Sequence, residues 1–383
     1  MQTSWWRSKS ELDADQIGFI RLPPHGRYSL IGPPGSGKTN LLLLRAQYIA
    51  GRGEKNVLVI TYAKALADFI RTGIGAAGLI APHQVKTYHS WATSHILEHL
   101  DQRAVPKGTD FDDAARESIV KMLEEANQKL STKNLYSAIF VDEAQDLTLP
   151  ELQALLSLSE NVCICGDENQ GIYRRNGLDS ITALSLTPYE LTRHFRIGQR
   201  IAHVADRLMP PRAGKLGLEE TANYNPKIQG DSSATMHPCD SRDEQFRRML
   251  EFIRVQLVAF NEDNIGVFCA KRESVAELRR RFDDTELAKL TVAHGLDKGA
   301  TFSSEGRIHI MTIHAAKGTE FRAVHIFGAE ELAHHPLNRS RISYTAITRA
   351  KTALNVFRTG PTNAPLENAF AEPRHIEIDE LFE

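Results

Sequence analysis

Residues Gly32-Pro33-Pro34-Gly35-Ser36-Gly37-Lys38-Thr39 fit the spacing GxxxxGK[ST]. Phosphate chemistry accounts for the residue types. Glycines let successive backbone N–H groups curl around phosphate oxygens, where side chains would block the approach. A helix opening at this point adds its positive dipole end. Lys38 is the cation expected to reach the β- and γ-phosphates, and Thr39 the hydroxyl expected on Mg²⁺. Further along, Ala138-Ile139-Phe140-Val141-Asp142-Glu143 reads as a buried strand ending in two carboxylates. An acidic pair after an apolar strand is weak by itself, but a phosphate loop in the same chain gives it a task. Asp142 would orient Mg²⁺ together with Thr39, and Glu143 would accept a proton from the attacking water. The expected cofactors are therefore a nucleoside triphosphate and Mg²⁺.

These groups need rigid elements to hold them. Tyr28–Ile31, Val57–Thr61, Ala138–Val141 and Val162–Cys165 are short apolar runs with the look of buried strands. Helical patterns follow the first three, at Asn40–Ile49, Lys64–Arg71 and Pro150–Leu158. A second set comprises Ile265–Ala270, a helix at Glu273–Phe282, Ile308–Thr312, Val324–Phe327, a helix around Ser340–Ala350, and Ala353–Arg358. Strands alternating with helices imply crossover units and parallel sheets. The sequence thus predicts two α/β lobes joined near Pro188–Arg200, with a small polar helical insertion at about 95–135. Residues 209–245 are rich in Pro, Gly and Ser and read as a loop-rich connection.

The whole-chain numbers exclude several classes. The 383 residues suit two or three domains. At 42% hydrophobic and 25% charged, the chain is neither disordered nor fibrous. No apolar run approaches a membrane span, and the N-terminus lacks the apolar stretch of a secretory signal, so no membrane partner and a cytoplasmic location are expected. Four cysteines rule out a disulfide scaffold. Cys163 and Cys165 read as core thiols, while His237-Pro238-Cys239 and His334-His335 lack metal-ligand spacing. The net charge of −2 excludes a uniformly basic nucleic-acid binder but leaves room for a basic groove. Residues 1–100 carry an excess of five positive charges, and 361–383 form an acidic tail.

More of the chain fits one pattern. Val141-Asp142-Glu143-Ala144-Gln145-Asp146 resembles the DExQD motif of the UvrD/Rep/PcrA family of superfamily 1 helicases, and other segments resemble that family's motifs in the same order. Leu12-x-x-x-Gln16 is similar to the adenine-reading glutamine motif. Thr61-Tyr62-Ala63-Lys64-Ala65 and Val85-x-Thr87-Tyr88-His89-Ser90 are similar to two strand-binding motifs. Gly166-Asp167-Glu168-Asn169-Gln170-Gly171-Ile172-Tyr173 matches GDxxQxIY, and Leu191-Thr192-Arg193-His194-Phe195-Arg196 sits where the family has a NYR-type motif. Met311-Thr312-Ile313-His314-Ala315-Ala316-Lys317-Gly318-Thr319-Glu320-Phe321 is close to MTxHxxKGLEF, and Tyr344–Lys351 to VAxTRAK.

The resemblance implies two RecA-like P-loop NTPase domains, 1–190 and 191–360, with an interdomain ATP cleft. It assigns Gln16 to adenine, Phe195 to stacking on it and Glu320 to the ribose. Gln170 would sense the γ-phosphate, and Arg196 and Arg349 would act as arginine fingers. Tyr62, Thr87, His89, Tyr173 and His314 would contact a single strand, by stacking or backbone contact. Two departures stand out. Arg175 occupies the place of a base-stacking Trp, and Asn40 replaces the Arg after the P-loop Thr, in a place that belongs to the nucleotide site. The family's large accessory inserts are also small or nearly absent. The first expectation is therefore an ATP-dependent helicase or translocase on single-stranded DNA or DNA ends, moving 3′ to 5′, with RNA not excluded. The alternative is an ATP-dependent DNA-sensing subunit that regulates an effector or nuclease partner in a phage-defence or repair complex.

Overall fold

The computed structural model describes residues 11–62, 67–68, 70–71, 78–100, 113–170, 181–297, 300, 302 and 306–371. By its contacts the chain divides into two units. The first runs to Arg196 and takes in Lys317–Thr319; the second begins at Ile197 and holds most of the rest.

The first unit is built on β1 (Arg27–Ile31), β2 (Val57–Thr61), β3 (Val85–Thr87), β4 (Ala138–Val141), β5 (Val162–Gly166) and β6 (Thr187–Glu190). They form one parallel sheet in the order β3-β2-β4-β5-β1-β6. β2, β4 and β5 are buried along their whole length, and strands covered on both faces read as unbroken apolar runs. Alternate side chains divide between the faces. Val57, Val59, Phe140, Cys163 and Cys165 pack with Leu41, Leu42 and Ala46 of the helix Lys38–Gly51. Leu58, Ile60, Ile139, Val141 and Ile164 pack with Trp91, Ile96, Leu123 and Leu155 of the helices Tyr88–His99, Asp113–Gln128 and Leu149–Leu156. β1 and β4 lie either side of β5, so the loops after them, Gly32–Thr39 and Asp142–Asp146, leave the same carboxyl end of the sheet, where open α/β sheets bind ligands.

The second unit carries β7 (Ser233–Pro238), β8 (Ile265–Cys269), β9 (Thr291–Ala293), β10 (Ile308–Thr312), β11 (Phe321–Phe327) and β12 (Ala350–Arg358). This sheet too is parallel, ordered β7-β12-β11-β8-β10-β9. Met249, Ile253, Leu278 and Phe282, from the helices Arg242–Ala259 and Arg272–Asp283, pack on Ile265, Val267, Ile310 and Phe327. Both units thus have the parallel, helix-flanked α/β build of the RecA-like expectation.

The loop-rich reading of 209–245 is corrected by the structure. Ser233–Pro238 is the edge strand β7, paired along its length with β12, and Ser241 caps the helix Arg242–Ala259 by accepting the Glu244 N–H at 3.1 Å. An edge strand with one neighbour needs no apolar run, which is why this one was not visible. Leu191–Arg196 stay with the first unit: the Leu191 N–H donates to Ile31 O at 2.8 Å, continuing the pairing of β6 with β1. Arg196, expected from the second lobe, is therefore a residue of the first. Residues 63–66, Tyr173, Arg175 and 372–383 lie outside the described residues, as does 101–112 of the insertion.

Candidate functional site

The loop after β1 is shaped by backbone that only glycine adopts readily. Gly35 and Gly37 have φ of 79° and 86°, and Gly37 is the N-cap of the helix Lys38–Gly51. Lys38 Nζ donates to the carbonyls of Gly32 and Pro33, each at 2.8 Å, so the ammonium lies against its own loop. Ser36 is buried, and its hydroxyl has no hydrogen-bond partner. The Phe195 N–H donates to Gly35 O at 3.2 Å, and Gln16 Nε2 donates to Ser36 O at 2.9 Å. The structure thus brings Gln16, Gly35, Ser36 and Phe195 together. Pro34 and Asn40 flank this cradle in sequence, and Asn40 is buried in the first turn of the helix.

Asp142 is buried at the end of β4. Its Oδ1 accepts from the Glu143 N–H and from the Cys165 Sγ–H, each at 2.9 Å. The Thr39 hydroxyl is also bonded to this carboxylate, whereas Oδ2 has no hydrogen-bond partner. Burial, and then the charge of Glu143, push Asp142 up to about 6. A buried carboxylate with one open oxygen beside a hydroxyl suits a hard divalent cation, which would favour the charged form. Thr39 and Asp142 therefore fit the expected Mg²⁺. Among the described residues no group of three or more His, Cys, Asp or Glu could hold a metal.

Glu143 follows with φ 54° and ψ 41°, and its carboxylate accepts from Gln145 Nε2. Gln145 Oε1 accepts in turn from the Asp167 N–H at 3.3 Å. Gln170 is buried in the turn after β5. Sequence reasoning gave no role to Lys317, yet this ammonium is buried here. It lies 2.7 Å from Asp146 Oδ1, 2.9 Å from Gln170 O and 3.8 Å from Glu143 Oε2. Its place in a recognised motif was the available signal. Cys165 was read only as a core thiol; it is one, and it also donates to Asp142. Burial, then Asp142, raise its pKa well above the usual thiol range, which keeps the proton in place.

The expected strand-binding residues of this unit adjoin one another. The Tyr62 and His89 rings meet edge-on at 5.6 Å, with Tyr88 5.7 Å from His89. Thr87 Oγ1 accepts the Ser90 N–H at 3.3 Å and so caps the helix Tyr88–His99. In the second unit Arg349 is buried, with Nε donating to Thr345 O at 3.2 Å. Glu320 pairs with Lys351 at 3.0 Å, and His314 is half-buried after β10. No helix among the described residues is long and apolar enough to cross a membrane.

Comparison with known proteins adds an independent line. A family model described as an AAA domain matches residues 21–176, and one described as a UvrD-like helicase C-terminal domain matches 307–357. A "Probable DNA helicase" of Mycoplasma pneumoniae is 28% identical over 256 residues, 61% of this chain and 45% of that protein. "F-box DNA helicase 1" of Gallus gallus is 40% identical over 78 residues, 19% of this chain and 8% of that protein. The chain therefore spans less than half the length of either relative. A solved structure described as "The structure of PRRSV helicase" covers 90% of this chain and 54% of its own at 16% identity and a TM-score of 0.41, a likeness that carries no argument. The two family matches contain the phosphate loop with its acidic strand end, and the His314 and Arg349 motifs, in the order the sequence set out, and with the Mycoplasma relative they support a UvrD/Rep-like superfamily 1 helicase.

Proposed function

We propose that this chain is an ATPase stimulated by single-stranded DNA that couples hydrolysis to 3′-to-5′ movement along the strand. The observation that carries the reading is Asp142, with one oxygen tied by Glu143 and Cys165 and the other without a hydrogen-bond partner, beside Thr39 of the phosphate loop. Lys38 and the loop amides bind the phosphates. Thr39 and Asp142 would hold Mg²⁺, which when bound would supply charge neutralisation at the phosphoryl oxygens. Glu143 takes the proton of the attacking water, Gln170 orients that water, and Arg196 and Arg349 stabilise the charge that spreads in the transition state. Gln16, Phe195 and Glu320 hold the nucleoside. Tyr62, Thr87, His89 and His314 contact the strand, with Tyr173 and Arg175. The direction of movement is supported by the family resemblance alone.

The test is phosphate release with and without single-stranded DNA or RNA, at two salt concentrations. The expected result is a several-fold stimulation by DNA that weakens at high salt, because a backbone-tracking groove is salt-sensitive. A rate indifferent to both DNA and RNA overturns the proposal.

A further inference from the structure

The helix Ala14–Ile20, which carries Gln16, has only seven residues and would be marginal alone. It is fixed at three points. Gln16 ties its first turn to Ser36 O. Tyr189 OH donates to Asp15 O at 2.7 Å, in space left by Gly18, where a Cβ would lie 2.5 Å from that hydroxyl. The third point is Arg45, on the helix that begins at Lys38. Its Nη1 donates to Phe19 O, Ile20 O and Leu22 O at 3.4, 3.3 and 3.0 Å, and its Nη2 to Pro23 O at 2.7 Å. The guanidinium is 1% exposed and lies 4.9 Å from the Tyr28 ring and 5.7 Å from the Phe19 ring. Burial lowers its pKa, but an arginine stays charged in proteins. Among the described residues it has no salt bridge. Its charge is met instead by the carbonyls at and after the helix's negative end.

We propose that Arg45 is a positioning residue for base selection, an inference that rests on reading Gln16 as the adenine contact. One helix presents Lys38 and Thr39 at its start and, two turns later, grips the end of the base-reading helix. Arg45 thereby fixes the distance from the phosphate cradle to the Gln16 carboxamide. That carboxamide keeps a usable donor and acceptor. Nε2 spends one hydrogen on Ser36 O, and Oε1 accepts once, from the Asp13 N–H at 3.1 Å. The remaining hydrogen and lone pair match N7 and the N6 amino group of adenine; guanine presents two acceptors there and fits badly. Selection depends on holding that pair in place, so a loosened helix loses discrimination before it loses phosphate binding.

The experiment is equilibrium binding of ATP, GTP and tripolyphosphate to wild-type protein and to Arg45→Met, Arg45→Lys and Gln16→Ala, with fold checked by circular dichroism. In Arg45→Met the ATP preference over GTP should fall about tenfold, the scale of a lost buried polar match, while tripolyphosphate affinity stays within about twofold. Arg45→Lys should recover part of the preference through its single ammonium, and it carries the test if the Met variant fails to fold. A folded Arg45 variant with wild-type preference, in a background where Gln16→Ala loses it, overturns the proposal for Arg45 alone. If Gln16→Ala keeps the preference, the adenine contact itself is refuted, and this inference falls with it.

Discussion

Replacing Lys317 with Met should destabilise the first unit by about 3–5 kcal/mol, the scale of leaving one partner of a buried ion pair without the other. The size of the effect follows from burial. Asp146 is fully buried with its Oδ1 2.7 Å from the ammonium, Lys317 itself is 3% exposed, and the Glu143 carboxylate lies 3.8 Å away. Met fills similar volume, so packing loss is small and the missing charge dominates. The carbonyl of Gln170 also loses a donor, worth about 1 kcal/mol. Neutralising the partner removes most of the penalty, so Lys317→Met/Asp146→Asn should cost about 1–2 kcal/mol, about 2–3 kcal/mol less than the single substitution. Urea unfolding followed by tryptophan fluorescence isolates the relevant unit, because Trp5, Trp6 and Trp91 all precede Arg196. A single substitution costing under about 1 kcal/mol, or a double variant no better than the single, would refute the assignment of Lys317 as the counter-charge of this acidic turn.

Two further outcomes follow. Glu143→Gln should bind nucleotide within a few-fold of wild type while phosphate release drops by about 10²–10⁴; release at the wild-type rate would show that another group takes the proton. His309 on β10 and His325 on β11 are held down to about 3, mainly by burial and further by His294 and His237 respectively. Their folded values lie below the unfolded one of about 6.5, so the unfolded chain takes up protons first. Stability is complete above that pH and declines as pH falls towards about 3. Between pH 7.5 and 5.5 the loss is about 1.4 kcal/mol for each histidine. Hydrogen exchange of the β10 and β11 amides, corrected for intrinsic rates, should report it; protection unchanged over that window would contradict it.

The shape of the proposed phosphate loop was legible because a tight turn into a helix constrains residue types locally, with Gly35 and Gly37 at positive φ. Gly35, Gly37, Lys38 and Thr39 fall within eight residues, and the proposed function has them answer to one anion. β2, β4 and β5 were legible for a related reason, since burial on both faces leaves unbroken apolar runs. The edges were not. β6 is Thr-Pro-Tyr-Glu and largely exposed, and its proline is tolerated because an edge strand need not donate on both sides. The helix Arg242–Ala259 hid behind charged residues, with Met249, Leu250 and Ile253 as its buried anchors. Lys317, Cys165 and Arg45 were opaque in a different way. Their partners lie 171, 23 and up to 26 positions away in sequence, and only the folded chain brings them together.

At the corner after β4 the backbone asks for one residue and the chemistry for another. A φ of 54° at Glu143 is conformational territory that costs an ordinary L-residue about 1–2 kcal/mol and glycine nothing. Thermostability engineering guided by dihedral angles alone would therefore rank glycine first at this position. It would gain a calmer turn by discarding the proposed general base, so a screen scored only by melting temperature would be led away from the working enzyme.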